Sequence, residues 1–404
     1  MNIKINRQFW IFFAFFLLTI GNSAYLIQIQ KNSIIEYLGN AILMLTIWYC
    51  IMIMKNHLLQ IKKMIKFSVI SIFFLAGLLV QEMKISITIR LSFTMLAIAT
   101  FAVLSSRLFS TYLDLRLAAY AIFVGILVAC VLAMVNNVTV FSGIIEGSMS
   151  SGFNGGLEHK NFFAADLLAS FSGIYLYYKN VERKRIDLIV MIIEIVMLVL
   201  SFSRGGYILL AFYLFLLNYE KIKKIRKDQR KILVLFICIL IVFGAYYFYD
   251  AIASNSETYM YRIRGLLNYL NYCSGDWFHI VFGNAQLAYS SDDLSYVYKI
   301  RSVVGWDGSL ELSVLNILIK NGIIGLVAYI YIIFYACKNA GRINNWSVKS
   351  IYIAYLYTFI LSGFVESYWS NIHVVYCAFS YIFVTSVVDI SKDEEIVINR
   401  RKRE

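Results

Sequence analysis

Four stretches of the chain carry residue types that could do chemistry together. The first is Gly152-Phe153-Asn154-Gly155-Gly156-Leu157-Glu158-His159-Lys160-Asn161. It sets an imidazole, an ammonium and an amide at the start of an apolar segment, and with Gly147 it has the glycine content of a flexible loop. Helix starts expose free N–H groups and favour anions, so His159 offers proton transfer and Lys160 offers charge. Asp166 follows on the same helical face as His159. A solvated loop with an interfacial lysine anchor is the plain alternative. The second is Ser201-Phe202-Ser203-Arg204-Gly205-Gly206. Small neighbours let Arg204 lie close to backbone and present its fork to a phosphate, although a snorkelling Arg at a span end has the same surroundings. The third is Tyr259-Met260-Tyr261-Arg262-Ile263-Arg264, leading to Phe282-Gly283-Asn284. On a helix Arg262 and Arg264 diverge by about 200°, so at most one faces a given site. The stretch 259–281 reads as one helix lying on the membrane surface. The fourth runs from Arg301 through Asp307 and Glu311 to Lys320-Asn321-Gly322-Ile323-Ile324-Gly325. Ser309, Ser313, Asn316 and Lys320 make one polar stripe, which in a membrane helix lines a cavity or a helix contact.

The composition dictates what must position these groups. Of the 404 residues, 60% are apolar or aromatic and 15% are charged, and the mean hydropathy is +0.70. Soluble domains carry about 25% charged residues, so this chain cannot coat a soluble globule. The expected fold is all-α: a polytopic integral membrane protein forming a single transmembrane domain over 1–404. A crossing needs about 20 apolar residues. Twelve spans are expected, at 8–26, 34–54, 66–82, 86–105, 117–140, 161–178, 187–202, 204–219, 232–249, 310–337, 350–366 and 371–390. The run 187–219 would be about 50 Å long as one helix, so it is divided at Ser203-Arg204-Gly205-Gly206. Proline is absent, which leaves helix breaks to glycine, at Gly205-Gly206 and Gly322. The basic, apolar start through Ala24 has no convincing cleavage site and is expected to remain as the first span.

The net charge is +13, from 37 Lys and Arg against 24 Asp and Glu. Cytoplasmic loops of membrane proteins carry the Lys/Arg excess. With the N-terminus inside and the spans alternating, 27 of the 37 cations fall on the cytoplasmic side, whose net charge is +17 against −4 elsewhere. The charge is therefore an orientation bias and a contact with membrane lipid, not a surface for nucleic acid, and both termini are expected in the cytoplasm. The long connections, 141–160 and 250–309, face outward. The second is a large outer loop between spans 9 and 10, so chemistry on a polar substrate belongs to that side. Arg90, Glu194 and Glu366 read as isolated intramembrane charges. The six cysteines have no paired spacing, which argues against a disulfide framework or zinc site.

In this order and on this side, the four stretches resemble the O-antigen ligase/polymerase superfamily, the Wzy-type polysaccharide polymerases and their ligase relatives. The resemblance covers roughly residues 140–340. It rests on Gly152 with His159-Lys160-Asn161 before a span, Ser201-x-Ser203-Arg204-Gly205 at a helix hairpin, an Arg in a large outer loop, Phe282-Gly283-Asn284, and Lys320-Asn321-Gly322-Ile323-Ile324-Gly325. It implies an inverting, metal-independent glycosyltransferase in the bacterial cytoplasmic (inner) membrane, without cofactor, active in O-antigen, capsule or exopolysaccharide biosynthesis. The donor is a glycan on undecaprenyl pyrophosphate and the acceptor is a sugar hydroxyl on the next lipid-linked repeat unit. Arg204 and Arg264 would stabilise the leaving pyrophosphate, with Arg262, Arg301 and Lys160 in reserve, and with Asn161 and Lys320 binding substrate. Many members carry a His before the final glycine motif. Here that region holds Asp307 and Glu311 instead, so the base candidates run Asp307, Glu311, His159. The loop 27–33 lacks the acidic pair of metal-dependent lipid-linked glycosyltransferases, hence no metal is expected. A flippase and a chain-length regulator are the protein partners the resemblance implies. A ligase-type transferase and a flippase or transporter for lipid-linked oligosaccharide stand as alternatives. The second would want cations deep in a central cavity rather than at outer span ends.

Overall fold

In the computed structural model, which describes residues 6–81, 83–142, 152–224, 263–288, 303–305 and 312–401, apolar runs become helices whose starts are often set by small polar side chains. Asn6 accepts from Phe9 N to begin α1 (Arg7–Gly21). Asn56 accepts from Leu59 N to begin α4 (His57–Val80). Thr111 and Asp114 form a reciprocal capping box on α6 (Tyr112–Val135). Between these lie the short α2 (Ala24–Gln28), α3 (Asn32–Met52) and α5 (Ile85–Ala99). α5 widens through Thr100–Leu104 and tightens through Ser105–Arg107. A two-residue hairpin, β1 (Phe141–Ser142) with β2 (Gly152–Phe153), precedes α7 (Lys160–Asn180), α8 (Arg185–Leu200) and α9 (Arg204–Lys224). Then come α10 at 263–272, α11 (Trp277–Phe282), α12 (Ala285–Ala288), α13 (Ser313–Ala340), α14 (Trp346–Val365) and α15 (Val375–Arg401).

The fold is all-α, about 81% helical. Among the described residues six helices are long and apolar enough to cross a membrane, and the apolar Arg7–Gly21 and Val375–Ser391 are shorter. Packing supports the same environment. α8 exposes Ile189, Ile192, Ile193, Val196 and Val199, and α13 exposes Val327, Ile330 and Phe334. Exposed apolar faces of this extent suit lipid rather than water. α15 is buried on nearly every side from Val375 to Ile390, as expected of an all-round apolar helix at the centre of a bundle. Around it small residues allow close approach. Ser170 Oγ on α7 donates to Ala119 O on α6 at 2.8 Å.

Helices occur at each predicted span that falls within the described residues; 232–249 lies outside them. Several boundaries move. α4 begins nine residues before the expected 66, because Asn56 caps it, so Lys62, Lys63 and Lys66 ride on a helix rather than a loop. α6 shifts toward its Thr111–Asp114 box. The first span stops at Gly21, and α2 follows after Asn22-Ser23. The expected surface helix 259–281 is two pieces, since a turn with Gly275 at φ +87° parts α10 from α11. The 187–219 run does break where expected, but the left-handed residue is Phe202, at φ +48°. Gly205 and Gly206 lie in the first turn of α9, which packs tightly on Val365 and Ala164.

α13 has 28 residues, about 42 Å at 1.5 Å per residue, well over the roughly 30 Å of hydrocarbon. It kinks at Gly322, where φ is 62° and ψ is −163°. That conformation is essentially reserved for glycine, and a Cβ there would collide with the Val281 carbonyl and Gly283 N. Here α4, α11 and α13 cross backbone to backbone. Gln81 ties them, donating to Phe282 O at 2.6 Å and Lys320 O at 3.1 Å while accepting from Ala285 N at 2.6 Å. Phe282-Gly283-Asn284 is thus a packing joint, with Asn284 N donating to Ile319 O at 2.7 Å.

Candidate functional site

The turns expected to face outward are bonded to one another. Asn161, at the start of α7, donates through Nδ2 to Glu366 Oε1 at 2.6 Å and accepts through Oδ1 from Ser203 Oγ at 2.8 Å. Ser203 Oγ also accepts from Gly206 N at 3.1 Å and so caps α9. Tyr368 donates to the Asn161 carbonyl at 2.8 Å. Ser313, the first residue of α13, donates to the Glu366 carbonyl at 2.9 Å. The Asn161 amide therefore joins the starts of α7 and α9 to the end of α14, and Ser313 ties the start of α13 to that same end. Each helix start carries partial positive charge.

The cations sit on that frame. Arg204 opens α9 and is exposed. Lys160 opens α7, near enough to Arg204 for the two charges to repel. The Lys160 stem passes 3.2 Å from where a Gly152 Cβ would sit, and that same Cβ would collide with the Ser201 carbonyl. Only a glycine lets the first motif lie on the second. His159 is the N-cap of α7: its Nδ1 accepts from Asn161 N at 3.2 Å. In the neutral ring the proton is then on Nε2, which suits His159 to donating a hydrogen bond rather than to abstracting a proton. The loop before it is not a flexible tether, since Asn154 through Leu157 are buried. Asp166 is fully buried, and its Oδ1 accepts from Tyr376 N at 2.8 Å, a structural role.

The remaining candidates divide. Arg264 is exposed on α10, whose buried face reaches the start of α13 through Gly265 and Leu315. Lys320 is half-buried two turns further along α13 from Ser313, about 10 Å by helical rise, so it is set apart from the Asn161–Glu366 bond. Arg262, Arg301, Asp307 and Glu311 lie outside the described residues, as does Ser309 of the expected polar stripe. Of that stripe, Ser313 makes the helix contact, donating to the end of α14.

Glu366 is not isolated within a span. It ends α14 as its C-cap, held by Asn161. Two further residues escaped sequence reasoning. Glu36, buried on α3, pairs with His373 Nδ1 at 2.6 Å. The His373 carbonyl accepts from Asn22, and Asn22 O accepts from Glu158 N at 2.9 Å. The Glu158 carboxyl is pushed above its ordinary value by displaced water and by Glu36, with His373 opposing. The polar run Tyr368-Trp369-Ser370-Asn371-Ile372-His373 was the available signal, hidden because it abuts the apolar start of α15. Among the described residues no group of three His, Cys, Asp or Glu could hold a metal ion.

What this arrangement offers chemically is an anion seat: two cations at helix starts, an imidazole N–H, and carboxylates beside them. No protein-family model matches the chain, and a search of curated proteins finds no match.

Proposed function

We propose that the protein polymerises lipid-linked oligosaccharide repeat units, as an inverting glycosyltransferase at the outer face of a bacterial cytoplasmic membrane with both termini inside. The observation that carries this reading is the bonding of three helix starts to the end of α14, two through Asn161 and one through Ser313, with Lys160 and Arg204 upon them. In the reaction an acceptor sugar hydroxyl attacks the anomeric carbon of the donor glycan. The bond from that carbon to undecaprenyl pyrophosphate breaks, and the hydroxyl proton passes to a carboxylate. Arg204 and Lys160 meet the charge growing on the leaving pyrophosphate, where preorganised cations act most strongly. Arg264 joins them from α10, and His159 adds an N–H. The base is a carboxylate near the start of α13: Asp307 or Glu311 from the chain ahead of it, or Glu366 bonded to Asn161.

Deletion of the protein followed by glycan gel electrophoresis tests the reading. A ladder collapsing to a single repeat unit supports a polymerase. Undecorated acceptor with intact lipid-linked polymer points instead to a ligase, and repeat units trapped on the inner leaflet to a flippase. Activity lost in a chelator and restored by a divalent cation would overturn the metal-free step.

A further inference from the structure

The end of the bundle opposite the proposed catalytic site holds a cavity of about 580 Å³, walled by α4, the end of α5, α13 and α15. That lies within the roughly 300–1,000 Å³ of small-molecule sites. Five cations line it, Lys62, Lys63, Lys66, Arg107 and Arg342, against one carboxylate, Asp389. Lys63 meets Asp389 at 3.2 Å, and Lys66 lies 3.8 Å over the Tyr335 ring. Two arginines elsewhere at this end are matched by buried acids: Arg7 pairs with Asp114 and Arg116 with Asp187. A second groove of about 500 Å³ adjoins the cavity at Ile65 and is lined by Met52, Ile61, Met64 and Val69. It opens along the exposed apolar face of α4, which also shows Leu58 and Ile72.

We propose that this cavity binds the phosphate headgroup of an anionic glycerophospholipid, with an acyl chain in the adjoining groove. The excess of cations selects a phosphate anion, and a free phosphate has no use for an apolar channel beginning at the same residue. Basic pockets between membrane helices on the cytoplasmic side hold anionic headgroups in this way. The cations come from separate parts of the chain, so a bound headgroup clamps the inner ends of α4, α13 and the segment ending α5 together. The site takes no part in glycan transfer, so its failure and the failure of the proposed reaction are separate results.

The test uses the purified full chain in neutral-lipid nanodiscs. Phosphatidylglycerol is titrated in, retained lipid is counted by native mass spectrometry, and Tm is followed by intrinsic fluorescence. Each surface cation contributes about a fivefold factor, so Lys66→Gln/Arg342→Gln is expected to weaken retention about 25-fold. Lys66→Arg/Arg342→Lys should restore it. Lys179→Gln/Arg183→Gln, which removes equal charge from the α7–α8 region, should leave it unchanged. Circular dichroism establishes that each variant is folded. Equal loss in the Lys179/Arg183 variant, equal retention of phosphatidylcholine, or a matching Tm rise with inorganic phosphate alone would each overturn the proposal.

Discussion

Two sets of cations in this bundle are held in opposite ways. At the end assigned to the cytoplasm, Arg116 bonds the fully buried Asp187 through Nε at 2.9 Å and Nη2 at 2.6 Å, and Tyr120 adds a third bond. Arg7 meets the buried Asp114 at 2.8 Å. These pairs join helices distant in sequence. At the other end, Lys160 and Arg204 repel one another from adjacent helix starts, where the macrodipole is also positive. The carboxylate Glu366 at this end is held by an amide rather than by a cation in the bond that joins the helices. Closed ion pairs build a scaffold, whereas like charges gathered by hydrogen bonds between turns are what the proposed reaction would set against an anion.

The largest expected effect comes from breaking a scaffold pair. Arg116→Ala strands Asp187 at zero exposure and should cost about 3–5 kcal/mol of stability, seen as a fall in Tm and in membrane yield. Glycan chain length from whatever folds should be normal; short chains at full yield would erase the distinction between the ends. Arg204→Ala should do the reverse. It should cut polymer formation about 10²–10³-fold, the size of losing one transition-state donor, with Tm unchanged. Long-chain glycan persisting in this variant removes Arg204 from the site.

Asn161→Ala falls between the two. It deletes the bonds to Glu366 and Ser203, leaves a buried carboxylate short of a donor, and should cost about 1–3 kcal/mol together with a drop in polymerisation. Asn161→Asp places a carboxylate against Glu366 and should be worse; a milder Asp variant would show that the amide does not organise this end. The smallest effect is electrostatic. Glu158 has its folded value raised, so the folded state holds its proton to higher pH than the unfolded chain does. Its penalty is absent below the unfolded value and develops as pH rises through the folded one. Glu158→Gln should flatten the decline of Tm over that interval, slightly because the side chain is exposed. Identical Tm–pH slopes would contradict it.

Much of this is legible in the chain itself. The hairpin at Ser203, the kink at Gly322 and the helix starts near Lys160 and Ser313 all follow from local chemistry. An Arg or a glycine interrupts an apolar run, and a chain without proline has few other ways to break. The boundaries that moved are set by single caps, Asn56 and Thr111, whose short polar side chains barely change a hydropathy average. The Gly283–Gly322 joint is visible only as two separate glycines, because which backbones cross is a matter of packing. Glu36 and His373 are invisible for the same reason: they lie 337 positions apart, and no pattern of spacing links them.

What the sequence alone determined is the environment. Sixty per cent apolar residues in runs long enough to cross a bilayer, with cations massed between alternate runs, require an all-α membrane protein, because helices satisfy their own backbone groups in lipid. What only the tertiary structure decided is which polar residues meet. Glu366 became part of the bonded turns and Asp166 part of the core through contacts with Asn161 and Tyr376. Those partners are brought near by the packing of α7, α14 and α15 as solids, which composition and periodicity do not encode.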